Sequence, residues 1–316
     1  MIRRVVAPRV RLPDELIGVA LPGTAAMPNT PKRSWSIEES FAYCEQIVRA
    51  STENFPVASR FVPAHLRPYV WAIYSFARFA DNFADEPEYE GRRAEALDHW
   101  EEELERCYHG EADHPVFIAL REAVDKRDIP ILPLRDMLTA YRIDLHVKRH
   151  PTFASLRNYC THAAEPIGRL ILCVFGYRDP ALTRFTDDLS TALQLTKVVQ
   201  DVKQDLAHGY LYLPEEDLGH FGVREADLAA GYMTPRIRDL LRFEVARARA
   251  FFERGRPIVH WVDGELSFEM NLIWHSGMTI LDKIEAVDYD VFQRRPAIDT
   301  IDKLKMVMRS ARRSHT

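Results

Sequence analysis

The chain has 316 residues, long enough for a sizeable core and one or two domains. Its 42 basic and 47 acidic residues leave a net charge of −5, which gives no electrostatic footprint for nucleic acid. The hydrophobic share of 47% is ordinary for a globular chain, and no run reaches the roughly eighteen apolar residues of a membrane-spanning helix.

In chain order, residues 1–34 read as a flexible tail rich in Pro and Arg. Arg3 and Arg4 precede an apolar stretch at 16–26, a faint imitation of a signal peptide. Arg9, Arg11, Asp14 and Glu15 interrupt the place where a continuous apolar segment belongs, and Met27 offers a second start. From Ser36, followed by Glu38 and Glu39 as an N-cap with an acidic first turn, helix follows helix. The periodicity predicts helices near 36–51, 66–85, 91–108, 115–126, 133–148, 153–175, 180–206, 235–261, 266–290 and 298–312. Pro and Gly fall mostly between these segments. The one short alternating piece is Tyr210-Leu211-Tyr212-Leu213-Pro214. The expectation is therefore a single all-α domain over 35–295, a bundle of about eight to ten helices, then a C-terminal helix and basic tail over 296–316. Cys44, Cys107, Cys160 and Cys173 show neither C-x-x-C spacing nor disulfide density, which predicts reduced thiols and a cytoplasmic protein.

Two aspartate stripes carry the chemistry. Tyr74, Arg78, Asp81 and Asp85 are spaced 4, 3 and 4 and share a helix face, flanked by apolar or small residues from Ile73 to Ala84. Gln194, Lys197, Asp201, Asp205 and His208 form a second stripe between Leu193, Leu195, Val198, Val199, Val202 and Leu206. One D-x-x-x-D is common on surfaces, where Arg78 and Asp81 would be an i,i+3 surface pair. Two of them in apolar helices, each with a cation on its stripe, point to a buried acidic site. Such carboxylates suit Mg²⁺, which completes its shell with substrate phosphates, while Arg78 and Lys197 can pair with phosphate oxygens. A neutralised diphosphate is a leaving group, and the carbocation it leaves needs an aromatic, water-poor cavity. Phe76, Phe79, Phe83, Tyr74 and Tyr159 suit such a wall, although core packing is the commoner role of aromatic residues.

The stretches Glu53-Asn54-Phe55-Pro56-Val57-Ala58-Ser59, Ile73 to Glu86, Tyr159-Cys160, Pro166-Ile167-Gly168-Arg169 and Gln194 to Pro214 resemble the squalene/phytoene synthase family, in order over about residues 36–290. The E-N-F-P-V-A-S and E-P-I-G-R-L segments look most like the bacterial hopanoid-pathway branch. The resemblance implies an isoprenoid synthase-type bundle around a central cavity, with Asp81, Asp85, Asp201 and Asp205 on Mg²⁺ and Arg78 on diphosphate. It implies substrate contacts from Asn54, Phe55, Ser59, Gln194 and Lys197. Tyr74, Tyr159 and Tyr212 match positions that line or close the cavity, and Gly168 a position kept small. The reaction implied is conversion of presqualene diphosphate to hydroxysqualene, without reductant; peripheral membrane contact follows from the apolar substrate and product. Arg309, Arg312 and Arg313 are the candidate for anionic lipid, beside the plainer reading of a solvated tail.

This chain departs from the family pattern at Asn82, at Lys197 where Asn is usual, at Gln200 where Arg is usual, and at His208 and Tyr210. Lys197 cannot ligate Mg²⁺ but can replace one cation's charge. Glu165 precedes Pro166 in an apolar segment. It reads first as a buried carboxylate satisfied by Lys197 or by backbone that Pro166 frees, and in a sharper reading as the catalytic group that positions water. Two alternatives stay open: a head-to-head condensing synthase making presqualene diphosphate, squalene or phytoene, and a non-catalytic relative acting as an assembly or lipid-binding factor.

Overall fold

The computed structural model describes residues 34–50 and 62–313. Most of the expected tail, and the motif around Asn54, Phe55 and Ser59, lie outside the described residues. What is described is all-α: among these residues the only β pairing is an isolated parallel bridge between Arg149 and Leu211, within reach of the one alternating segment of the sequence. The helices are α1 (Ile37–Ala50), α2 (Arg67–Asp85), α3 (Arg93–Tyr108), α4 (Pro115–Arg127), α5 (Ile131–His146), α6 (Phe153–Ala163), α7 (Glu165–Phe175), α8 (Pro180–Gln200), α9 (Val202–Ala207), α10 (Glu215–Phe221), α11 (Glu225–Ala229), α12 (Pro235–Gly255), α13 (Ile258–Trp261), α14 (Gly264–Ala286) and α15 (Thr300–Arg313).

Helix starts follow local chemistry. Ser36 and Glu39 form a reciprocal capping box at α1: the Ser36 hydroxyl accepts from the Glu39 amide at 3.1 Å, and the Glu39 carboxylate accepts from the Ser36 amide at 2.9 Å. Thr152, Asp179 and Thr234 cap α6, α8 and α12 through their side chains. Three expected helices are each broken in two. The segment over 153–175 stops at Ala164, because Pro166 cannot continue a helix interior and takes the first turn of α7 instead. The segment over 180–206 breaks at Asp201, and the one over 235–261 after Gly255. The short helices α10 and α11 were not expected.

Contacts group the described residues into two compact units, 34–141 with 173–176, and 142–172 with 177–313. In the N-terminal unit the core centres on Trp100. Its ring stacks on Phe76 and Phe79 and meets Phe83 and Phe117 edge-on or tilted, while its indole N–H donates to the Phe76 carbonyl at 3.2 Å. Phe76, Phe79 and Phe83 thus take the core role. In the C-terminal unit α8 runs against α12, and a Cβ on Gly255 would lie 2.8 Å from the Leu189 amide nitrogen and the Phe185 carbonyl oxygen, so only glycine lets these backbones approach. Cys44, Cys107, Cys160 and Cys173 are all buried and none is in a disulfide. No helix among the described residues is long and apolar enough to cross a membrane.

Candidate functional site

The first aspartate stripe lies along α2 in the N-terminal unit. Tyr74, Arg78 and Asp81 are buried, Asp81 retaining only 7% exposure, so the stripe is not a solvent-facing one. The Arg78 guanidinium stands 4.0 Å from the Asp81 carboxylate. Asp85 ends the helix and is exposed. Two carboxylates in the last two turns, with no basic residue in the final turn, oppose the helix dipole. A helix selected for stability alone would not place them there.

The second stripe lies in the C-terminal unit where α8 gives way to α9. Asp201 occupies the break with φ −107° and ψ 8°. The helical turn still closes across it, because the Asp205 amide donates to the Asp201 carbonyl at 2.8 Å. The two carboxylates therefore remain one turn apart, and both are buried. Gln194 is buried too, and its side-chain oxygen has no hydrogen-bond partner among the described residues. His208 is exposed and does not extend the site inward.

Asp201 is already held by cations. Arg295 donates from Nε to Oδ1 at 2.5 Å and from Nη2 to Oδ2 at 3.4 Å, and Lys197 Nζ stands 3.5 Å from Oδ2. The segment around Arg295 adds further ties: the Gln200 amide donates to the Pro296 carbonyl, and Lys203 donates to the Phe292 carbonyl at 2.8 Å. The unusual Gln200 thus anchors this segment through a hydrogen bond to its backbone.

Of the three tyrosines expected to line or close a cavity, Tyr159 and Tyr212 converge on one buried carboxylate, Asp144, and Tyr74 lies in the N-terminal unit. Tyr159 donates to Asp144 Oδ2 at 2.9 Å and Tyr212 to Oδ1 at 3.2 Å. Tyr210 donates to the Asp144 backbone carbonyl at 3.1 Å and stacks on Tyr212 at 5.9 Å. His150 stacks on Tyr212 on its other flank, and burial pushes its pKa down to about 4, so the ring is neutral at pH 7. Gly168 packs against α8: a Cβ there would lie 2.8 Å from Ser190 Oγ and 3.0 Å from Thr186 Cβ.

The expectation for the partners of Glu165 is corrected. Neither Lys197 nor freed backbone satisfies it. Oε1 is bound by Arg157 and, at 3.3 Å, by the Thr191 hydroxyl, and Oε2 by Arg169 at 2.9 Å. Arg169 also forks onto Asp187 with two bonds of 2.9 Å. Burial, and then the charge of Asp187, raise the Glu165 pKa, while the two arginines oppose the rise. The carboxylate ties α6, α7 and α8 together.

The profile of the squalene/phytoene synthase family matches residues 48–302. The chain belongs to the squalene/phytoene synthase family. Members of this family are enzymes that act on prenyl diphosphates. A phytoene synthase of Arthrospira platensis is 33% identical, covering 84% of this chain and 90% of that protein. A 15-cis-phytoene synthase of Synechocystis sp. is 32% identical, covering 85% and 83%. The crystal structure of squalene synthase HpnC from Alicyclobacillus acidocaldarius is 38% identical with a TM-score of 0.77, covering 80% of this chain and 95% of that one. A dehydrosqualene synthase, solved in complex with a ligand, shares the fold at TM-score 0.80 and 24% identity, covering 87% and 96%. The fold is of the isoprenoid synthase type.

Within this family member, sequence reasoning missed Asp144 and Arg295. Asp144 had a readable signal. It continues the buried stripe Leu134, Met137, Leu138, Tyr141 of α5, where a charge needs a reason. Arg295 had none, because it lies 94 residues from the carboxylate it holds and in no periodic element.

Proposed function

We propose that the chain converts presqualene diphosphate to hydroxysqualene, with loss of diphosphate, rearrangement of the cation and capture by water. The observation that carries the reading is the state of Asp201. Protein cations, Arg295 and Lys197, neutralise the carboxylate that would otherwise call for a metal ion. A motif with part of its positive charge built in suits a substrate with one diphosphate better than the two diphosphates of a condensation. The identity to a squalene synthase of the HpnC type supports the same branch.

The residues fit Mg²⁺ in part. In the N-terminal unit Asp81 and Asp85 are oxygen donors of the kind a hard divalent ion takes, and in the C-terminal unit Asp205 and the side-chain oxygen of Gln194 are others. Among the described residues no three acidic, His or Cys side chains already converge, so substrate phosphate would complete the shell. Asp201 joins only when Arg295 lets go. Bound Mg²⁺ would supply charge neutralisation of the leaving diphosphate. In this reading Arg78 and Lys197 hold diphosphate oxygens, and Tyr74, Tyr159 and Tyr212 form the wall that excludes water until capture. Gly168 leaves room beside α8, and Asn54, Phe55 and Ser59 contact the isoprenoid. Glu165, with its oxygens taken by two arginines and a threonine, supports the wall instead of positioning water.

A second reading, condensation of two prenyl diphosphates, is favoured by the phytoene synthase relatives. Incubation with Mg²⁺ and either presqualene, farnesyl or geranylgeranyl diphosphate separates them. The proposal expects hydroxysqualene from presqualene diphosphate and no product from the other two. Product from farnesyl or geranylgeranyl diphosphate alone would establish the second reading. No turnover of any, with all four aspartates replaceable at no loss, would point to a non-catalytic relative.

A further inference from the structure

The helix α15 carries two apolar faces, and only one of them is used by the fold. Met306 and Ser310 are buried, and α15 packs on α14 through them. Lys283 of α14 pins the start of α15 through Asp299, at 2.9 Å, and Asp302. Asp299 also accepts from the Ile301 and Asp302 amides at 2.9 Å, which fixes the first turn. On the opposite side Ile301, Leu304 and Met308 are 64%, 62% and 49% exposed. At 3.6 residues per turn these three lie within about 60° of one another, and their mean direction is about 170° from that of Met306 and Ser310. The stripe is therefore not a frayed edge of the buried face.

The charge around the stripe has one sign. Lys305 and Arg309 are exposed along one edge of it, about 70° and 105° from its mean direction. The acidic groups at the start of the helix, Asp299 and Asp302, are already bound by Lys283. A second copy of this chain laid symmetrically on the same face would bring Lys305 and Arg309 toward their own images, which disfavours it. An apolar stripe from Ile301 to Met308 on a 14-residue helix, with cations along one edge and packed on a folded body, has the chemistry of a helix that rests in the interface of an anionic bilayer.

We infer that the outer face of α15 is a membrane-docking surface for anionic phospholipid. Ile301, Leu304 and Met308 enter the acyl boundary, while Lys305 and Arg309 meet the headgroups. The surface does not depend on the reaction proposed above, and its test needs no substrate.

The test is co-sedimentation of the full-length protein with phosphatidylcholine vesicles, with and without added phosphatidylglycerol. Binding is expected only to the anionic vesicles and falls as salt rises. The combined Lys305→Ala, Arg309→Ala variant is expected to lower partitioning by on the order of 30-fold. The combined Ile301→Ser, Leu304→Ser, Met308→Ser variant abolishes it, with an unchanged melting temperature by circular dichroism. Should that triple variant unfold, the single Leu304→Glu replacement carries the same expectation. The inference is overturned if the wild type ignores anionic vesicles, or if the stripe variants bind them as well as the wild type. It is equally overturned if the stripe variants dissolve an oligomer in light scattering and leave vesicle binding intact.

Discussion

On α2, Arg78 stands 4.0 Å from Asp81 and Asp85 is open to solvent, whereas at the α8–α9 junction Arg295 and Lys197 both close on Asp201. The two motifs share the D-x-x-x-D spacing, yet the second is held by Arg295, 94 residues away in sequence, whereas Arg78 stands beside the first on its own helix. Spacing decides which carboxylates share a face. What neutralises them is decided by residues far away in sequence. The second motif is thus partly neutralised by the protein's own cations, one of them from outside its helix.

The largest expected effect tests what the motifs have in common. Asp81→Ala and Asp205→Ala should each lower kcat for presqualene diphosphate by on the order of 10²–10³-fold, with melting temperatures retained. Asp201→Asn should cost less than either, since Asp201 is already held by protein cations. Equal losses at all three positions would erase the distinction between the motifs.

Removing Arg295 sharpens the comparison next. Arg295→Ala leaves a buried Asp201 with Lys197 beside it, and is expected to cost about 1–3 kcal/mol in urea unfolding, the lower part of the range because Arg295 is itself a third exposed. The same variant should bind Mg²⁺ more tightly than wild type by calorimetry, because Asp201 is released. Asp144→Asn is expected to cost about 1–2 kcal/mol and to change the near-ultraviolet circular dichroism, since Tyr159 and Tyr212 lose the carboxylate that fixes their hydroxyls.

The readable and unreadable parts of the molecule divide along the same line. Most of the helices, the Ser36 N-cap and the burial of Asp81, Asp201 and Asp205 were legible, because each rests on residues within a few positions of one another. The break at Asp201 was not, since apolar periodicity continues through it, whereas the one at Ala164 had its signal in Pro166 and was overridden by the same periodicity. The partners of Glu165 were misassigned for the reason that hid Arg295. Thr191 is 26 residues away, and Arg157 lies beyond the helix break that periodicity did not report.

Two smaller effects probe buried acids away from the aspartate stripes. Glu244, on α12 beside Asp217 and Arg247, has its pKa raised by burial, and further by Asp217, from 4.5 to about 8. The folded state then binds the proton more tightly than the unfolded one. Its contribution to stability is full below about pH 4.5 and is lost as pH rises to about 8. Glu244→Gln should flatten that part of the stability–pH curve in thermal melts. Glu165→Gln is expected to leave the ratio of hydroxysqualene to hydrocarbon products unchanged, because Glu165 supports the wall and does not position water; a shifted ratio would return it to the water-capture role.

The most direct measurement is the Mg²⁺ stoichiometry of the protein bound to a non-hydrolysable diphosphate analogue, in wild type and in Lys197→Asn. The account expects the variant to bind an additional Mg²⁺, because an amide replaces the built-in cation beside Asp201. The same stoichiometry in both proteins would contradict the claim that protein cations stand in for metal at the second motif.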